Sequence, residues 1–252
     1  MGGLTVLAAL RKALPDERFL YLGDTARLPY GTKTVETVQR YAAKAASHLV
    51  DRGVKALVVA CNTASASALK TLRTAFAPLP VYGVVEPGAD AAVAAADDSG
   101  VLVLATESTI QGGAYQRALT TRNARMPVYG RACPLWVTMA EQGPQNASFT
   151  RTVLQHDLRG LVPGGPATLL LGCTHFPVFT NQLQDLVGAD VRVVDSAQTT
   201  ATYVAEQLAS EGLLGAPGGE TLYLATDGAN RFVQVGRHFL GEEIQQVEVV
   251  DL

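Results

Sequence analysis

Landmarks of the first third of the chain return later at a nearly constant distance. Gly2 and Gly3 recur as Gly112 and Gly113, an apolar run at 18–22 as one at 127–131, Cys61 as Cys173, and Glu86 as Asp195, all at offsets between 109 and 112. A steady offset over four unlike features marks an internal duplication, so the chain is expected to build two similar units. The cysteine segments match in kind as well as position. VVACNT at 58–63 and LLGCTH at 170–175 each read as a strand, a cysteine, a polar pair and a helix. Two pseudo-equivalent units facing each other would bring both cysteines to one cleft.

The type of unit follows from the apolar pattern. Short runs at 18–22, 55–60, 81–85, 101–105, 127–131, 168–171, 191–194, 221–225 and 246–250 read as strands, separated by longer amphipathic stretches. The stretches 34–51, 62–77 and 197–210 read as helices, with Asn62 and Thr63 suited to capping the second. Alternation of this kind predicts an α/β fold with two pseudo-symmetric, flavodoxin-like parallel-sheet units of strand order 2-1-3-4-5. At 252 residues the chain can hold two domains. The expected division is 1–86 plus 196–252 for the first and 87–195 for the second, inserted in it.

The repeat also exposes an asymmetry. The strand at 101–105 and the polar turn Thr106 to Thr109 precede Gly112, whereas Gly2 follows directly on Met1. By symmetry, an opening strand of the first unit would lie between the strands at 18–22 and 55–60, in the middle of the sheet. Without it, either an apolar slot separates those strands or they close up and displace Cys61.

Several function classes are disfavoured. Charged residues make up 17% of the chain and the formal net charge is -3, so nothing points to nucleic acid. Three widely spaced cysteines without a CxxC argue against a disulfide framework or structural zinc and for free thiols in a reducing, cytoplasmic setting. No apolar run reaches the ~18 residues of a membrane span. No metal-ligand cluster or phosphate loop is evident, so neither metal nor cofactor is expected.

A cysteine at the carboxyl end of a parallel strand sits where open α/β sheets bind ligands. A helix starting beside it would lower the thiol pKa and attract carboxylates. A lone cysteine there is more readily a small buried hydrophobe. Two at matching repeat positions, with polar flanks, favour chemistry. Opposed thiols suit inversion at carbon: one thiolate removes a proton, and the other thiol returns one to the opposite face. Asn62, Thr63 and Thr174 could supply donors to substrate carboxylates. His175 either sets the protonation of Cys173 or caps the following helix.

GGLTVL at 2–7, YLGDTARLPYGTK at 21–33, VVACNTASA at 58–66, EPGA at 86–89, ACPL at 132–135 and LLGCTHFP at 170–177 resemble the glutamate racemases of the aspartate/glutamate racemase superfamily. The resemblance runs from residue 2 to about residue 230. It implies a cofactor-independent isomerase in which Cys61 acts on D-glutamate and Cys173, with His175, on L-glutamate. Tyr30, Gly31, Asn62, Thr63, Thr174 and His175 would hold the substrate. The product D-glutamate would supply peptidoglycan synthesis, hence the cell wall and cell shape. Cytoplasmic location, a homodimer and no nucleic-acid or membrane partner are implied with it. Asp24, Thr106 and Glu141 could each orient a catalytic group or cap a turn, and Cys133 reads as packing.

In one place the sequence departs from the family pattern. Family members open with a strand and DSGVGG, whose Asp and Ser assist the chemistry, whereas this sequence reads MGG. A GTG codon is read as Val internally and as Met at a start, so an in-frame Asp-Ser-Gly is expected in the genomic DNA upstream, and residues 1–252 alone are expected to be nearly inactive. The competing readings are a racemase for aspartate or another amino acid, a racemase-like binding protein without activity, and a thiol hydrolase. The last would need Cys, His and acid on one side of the cleft.

Overall fold

The structure, a computed structural model, describes residues 1–143, 147–161, 164–215 and 218–252. The second half of the duplication is the simpler. Strands β4 (Val101–Ala105), β5 (Val128–Ala132), β6 (Thr168–Gly172) and β7 (Arg192–Asp195) form one parallel sheet of order β5-β4-β6-β7. Taken in chain order this is 2-1-3-4, the expected doubly wound arrangement. Every residue of β4 and β6 is buried, because helices cover both faces. Val101, Val103 and Ala105 point to helices α4 (Val85–Ala95) and α6 (Ala114–Arg122). Leu102 and Leu104 point the other way, to α7 (Pro134–Gln142), α8 (Ala147–Leu158) and α9 (Thr180–Val187). The period-2 alternation of strand side chains divides the apolar run between two cores.

The first half is split. Strand β1 (Phe19–Gly23) pairs in parallel with β8 (Thr221–Ala225), which pairs with β9 (Glu248–Val249). Among the described residues, strand β2 (Leu57–Val59) pairs only with β3 (Val81–Gly83). No ladder joins β1 to β2. Of the two arrangements the symmetry argument allows, this is the apolar slot: Leu20, Leu22, Leu57 and Val58 line it, together with Ala46 and Leu49 of α2 (Val35–Val50). The contrast with the second sheet is direct. Where β4 lies between β5 and β6, among the described residues no strand lies between β1 and β2, and most residues of β1 and β2 are only half-buried.

Helices α1 (Gly3–Ala13) and α10 (Ser196–Ser210) pack together with Tyr82 and Val84. Helix α2 packs with α3 (Asn62–Ala75) over β2 and β3. Helix α11 (Ala229–Leu240) lies on α1 and joins the core that runs under the second sheet. Among the described residues no helix is long and apolar enough to cross a membrane.

Four expectations need adjustment. The boundary expected at 86/87 falls inside α4, whose Ala89 and Ala92 already pack on β4, so the chain changes sheets just before Val85. The helix after Cys61 is capped by neither Asn62 nor Thr63: Cys61 is the capping residue, and both side chains are drawn into cross-unit hydrogen bonds. The helix after Cys173 does not start beside it. A 3-10 turn occupies Phe176–Phe179, and α9 begins only at Thr180. Finally, Glu86 and Asp195 do not correspond in role. Asp195 accepts the Ala197 N–H at 2.6 Å as the cap of α10, whereas Glu86 is exposed and pairs with Arg73.

Candidate active site

The two cysteines stand at matching ends of pseudo-equivalent strands. Cys61 follows β2 and Cys173 follows β6, and both line one cavity of about 460 Å³ between the units, which continues into the slot of the first sheet. The same cavity is lined by Asp24, Tyr30, Gly31, Asn62, Thr63, Thr106, Glu141, Thr174 and His175. Every residue singled out for the site is therefore brought together. Cys133 does not line it; it is buried with its Sγ 3.7 Å from the Arg131 carbonyl oxygen.

The thiols differ in environment. Burial raises the pKa of Cys61, while the N–H groups of Ala64 and Thr63 at the start of α3 and the Thr63 hydroxyl pull it back. Cys173 is 5% exposed and is pushed up to about 12, mainly by burial. The His175 N–H opposes that rise, and the negative charge of Cys61 adds to it. Cys61 stands at the N-cap of α3, whereas Cys173 is followed by the 3-10 turn and has no α-helix N-terminus at its sulfur. In place of a helix it has an imidazole.

His175 is the N-cap residue of the turn that follows it, but its side chain makes no capping hydrogen bond. Its Nδ1 lies 3.8 Å from Cys173 Sγ, and its Nε2 lies 3.3 Å from Glu141 Oε1. Burial lowers its pKa, and the Glu141 carboxylate resists that shift. Glu141 is itself held below the usual carboxylate range, first by its hydrogen bond with His175. A Cβ on Gly2 would sit 2.4 Å from His175 Nδ1, so α1 presses its bare backbone against the ring. The Thr5 hydroxyl, on the same helix, donates to the Thr174 carbonyl at 2.9 Å.

On the Cys61 side, hydroxyls from both units meet. Thr63 Oγ1 lies 3.2 Å from Thr106 Oγ1 and 3.3 Å from Thr109 Oγ1. Asn62 is 2% exposed; its Oδ1 accepts from the Tyr115 hydroxyl at 2.6 Å, while its Nδ2 is buried without a partner in the protein. The Tyr30 hydroxyl donates to Asp24 Oδ2, and Thr226 Oγ1 donates to Asp24 Oδ1 at 3.0 Å. Gly31 lets its 3-10 turn approach the Thr106 side chain, which a Cβ would meet at 3.2 Å.

Comparison with known proteins agrees with this arrangement. Residues 4–204 match the Asp/Glu/Hydantoin racemase family. The chain belongs to that family. A glutamate racemase of Geobacter metallireducens is 45% identical over 254 aligned residues, covering 100% of this chain and 94% of the relative. The crystal structure of a glutamate racemase isoform from Bacillus anthracis superposes with a TM-score of 0.93 at 34% identity, covering 100% of this chain and 94% of that one. That of the Francisella tularensis enzyme, solved in complex with D-glutamate, gives 0.91 at 33% identity, covering 99% and 94%.

Within this racemase scaffold, sequence reasoning missed Tyr115, Thr109 and Arg231. Tyr115 closely follows the repeated Gly112-Gly113 pair, which is the one signal that points to it, but its partner Asn62 is set by the packing of the two units. Exchanging Tyr115 for phenylalanine leaves Asn62 Oδ1 buried without a donor, which costs about 1–3 kcal/mol. Urea denaturation should show that loss as a lower midpoint with an unchanged slope; an unchanged midpoint would contradict it.

Proposed function

We propose that this racemase-family chain interconverts L- and D-glutamate without a cofactor, using Cys61 and Cys173 as opposed acid and base. The observation that carries the reading is that both thiols, from equivalent strand ends of the two units, line a single cavity. In one direction the Cys173 thiolate takes the α-proton of L-glutamate, and the electron pair passes into the adjoining carboxylate. The Cys61 thiol then gives its proton to the opposite face of the carbon, leaving a thiolate. D-glutamate reacts by the reverse sequence. A carbanion beside a carboxylate is costly, so fixed donors must meet the developing charge. The Asn62 Nδ2 and the hydroxyls of Thr63 and Thr106 supply them, Tyr30, Gly31, Thr174 and His175 complete the substrate site, and Asp24 and Glu141 orient Tyr30 and His175.

Support for glutamate comes from the relatives, which are named glutamate racemases, one of them solved with D-glutamate bound. We further propose that the D-glutamate serves peptidoglycan synthesis in the cytoplasm and that the active form is a homodimer. Circular dichroism of solutions of each pure enantiomer tests the activity. Signals that decay from either side to zero are expected with glutamate, and decay with aspartate alone would transfer the reading to the alternative substrate.

The thiol environments also set a pH dependence. Each direction needs one thiolate, and burial raises both thiols above their ordinary value. The reactive protonation state is thus scarce at neutrality and grows as pH rises. The ratio kcat/KM should climb between about pH 7 and 9, by up to roughly tenfold per unit. A profile that is flat or falls across that range would mean that neither thiol is the limiting base.

A further inference from the structure

Helix α11 belongs to the side of the molecule that carries β1 and β8, yet two of its residues reach the group beside Cys173. Arg231 Nη2 donates to Glu141 Oε2 at 2.9 Å, and the ring of Phe239 stands edge-on to the His175 imidazole with centroids 5.2 Å apart. Glu141 is therefore held at both oxygens, by His175 on Oε1 and by Arg231 on Oε2. A contact path results: Arg231, Glu141, His175, Cys173.

The path matters because an imidazole on its own does not choose an orientation. Rotation about its terminal bond is broad, and either ring nitrogen can carry the proton. A carboxylate fixed opposite Nε2 makes that nitrogen the donor. Nδ1 is then a bare acceptor facing Cys173 Sγ at 3.8 Å. The S–H proton can pass to Nδ1, with the electron pair staying on sulfur, which is how a thiol raised by burial can yield the thiolate. A carboxylate free to rotate would fix neither nitrogen. Arg231 removes that freedom, and the Phe239 ring packs against the imidazole.

We propose that Arg231 and Phe239 are positioning residues for Cys173, so that the returning C-terminal helix completes the acid–base machinery on that face of the cleft. The proposal rests on the reading of Cys173 as a reactive thiol of the racemase. Arg231 is 62% exposed on its side chain, so its ion pair adds little to stability. Its contribution is orientation, which separates it from a structural residue. One donor atom makes the contact, so lysine, with the charge kept, should serve in its place.

The test compares wild type, Arg231→Met and Arg231→Lys. Iodoacetamide alkylation is followed separately at Cys61, Cys133 and Cys173 by peptide mass spectrometry, and kcat and KM are measured for both glutamate enantiomers. The methionine variant should alkylate at Cys173 roughly three- to tenfold more slowly, with Cys61 unchanged, kcat lowered in step and the melting temperature preserved. The lysine variant should recover most of the rate. An unchanged Cys173 rate in an active Arg231→Met enzyme, or parallel changes at Cys61 and Cys173 with a lowered melting temperature, would overturn the proposal. The alkylation readout does not require turnover, so a Cys173-specific change keeps the positioning role even where circular dichroism finds no racemisation, and the two readings fail separately.

Discussion

Exchanging Cys61 for alanine abolishes racemisation of both glutamate enantiomers. In each direction one thiol must take a proton and the other must give one, so removing either stops both. Removal of a positioned acid or base costs at least ~10²- to 10⁴-fold. The enantiomers have equal free energy, so kcat/KM must remain equal in the two directions whatever the variant, and a selective loss in one direction is ruled out. A half-reaction should survive. With Cys173 intact, L-glutamate in deuterated water should slowly exchange its α-proton without inversion, whereas D-glutamate should not. Polarimetry and proton NMR on one sample separate the two readouts, and a variant keeping more than about a tenth of wild-type turnover would end the two-thiol mechanism.

The second large effect concerns the slot between β1 and β2. An extension ahead of Met1, about ten residues long with an apolar five-residue strand followed by Asp-Ser-Gly, should pair with both open edges as β4 pairs with β5 and β6. Each backbone group paired on burial recovers about 1–3 kcal/mol. Several together should raise the melting temperature by roughly 10 °C or more for a chain of this size. Racemase turnover should rise with it, and aggregation should fall as the exposed edges are covered. The control extension carries proline at alternate positions, which cannot donate to a ladder. If the extended chain melts within about 2 °C of residues 1–252, or if those residues alone are fully active, the slot is not a strand site.

Much of the scaffold was legible because it is local. All nine strands among the described residues were marked by short apolar runs, and the bounds of β4 and β8 coincide with the reading. Others proved shorter for a tertiary reason. The run at 55–60 is a strand only over Leu57–Val59, where β3 pairs with it, and the run at 246–250 only at the pairing of β9 with β8. The site residues were legible for two reasons, namely the duplication for the cysteines and the family resemblance for Tyr30, Gly31 and His175. What stayed hidden depends on parts distant in sequence. Nothing around Glu141 announces Arg231, and nothing around Asn62 announces Tyr115, since each pair forms only when the two units are packed together. Cys173 misled in a different way. Its segment mirrors that of Cys61, but a tight turn at Phe176–Phe179 stands where a helix start was expected.

The pairing of β1 with β8 bears on the order in which a ribosome can release a finished molecule. All the ladders of the second sheet form between Val101 and Asp195, so that unit can settle as soon as it has emerged. Phe19 was synthesised earlier but must wait for Thr221, and Glu141 must wait for Arg231. Until the last part of the chain appears, β1 is an open edge exposed in a nascent protein, and Glu141 is without the arginine that holds it.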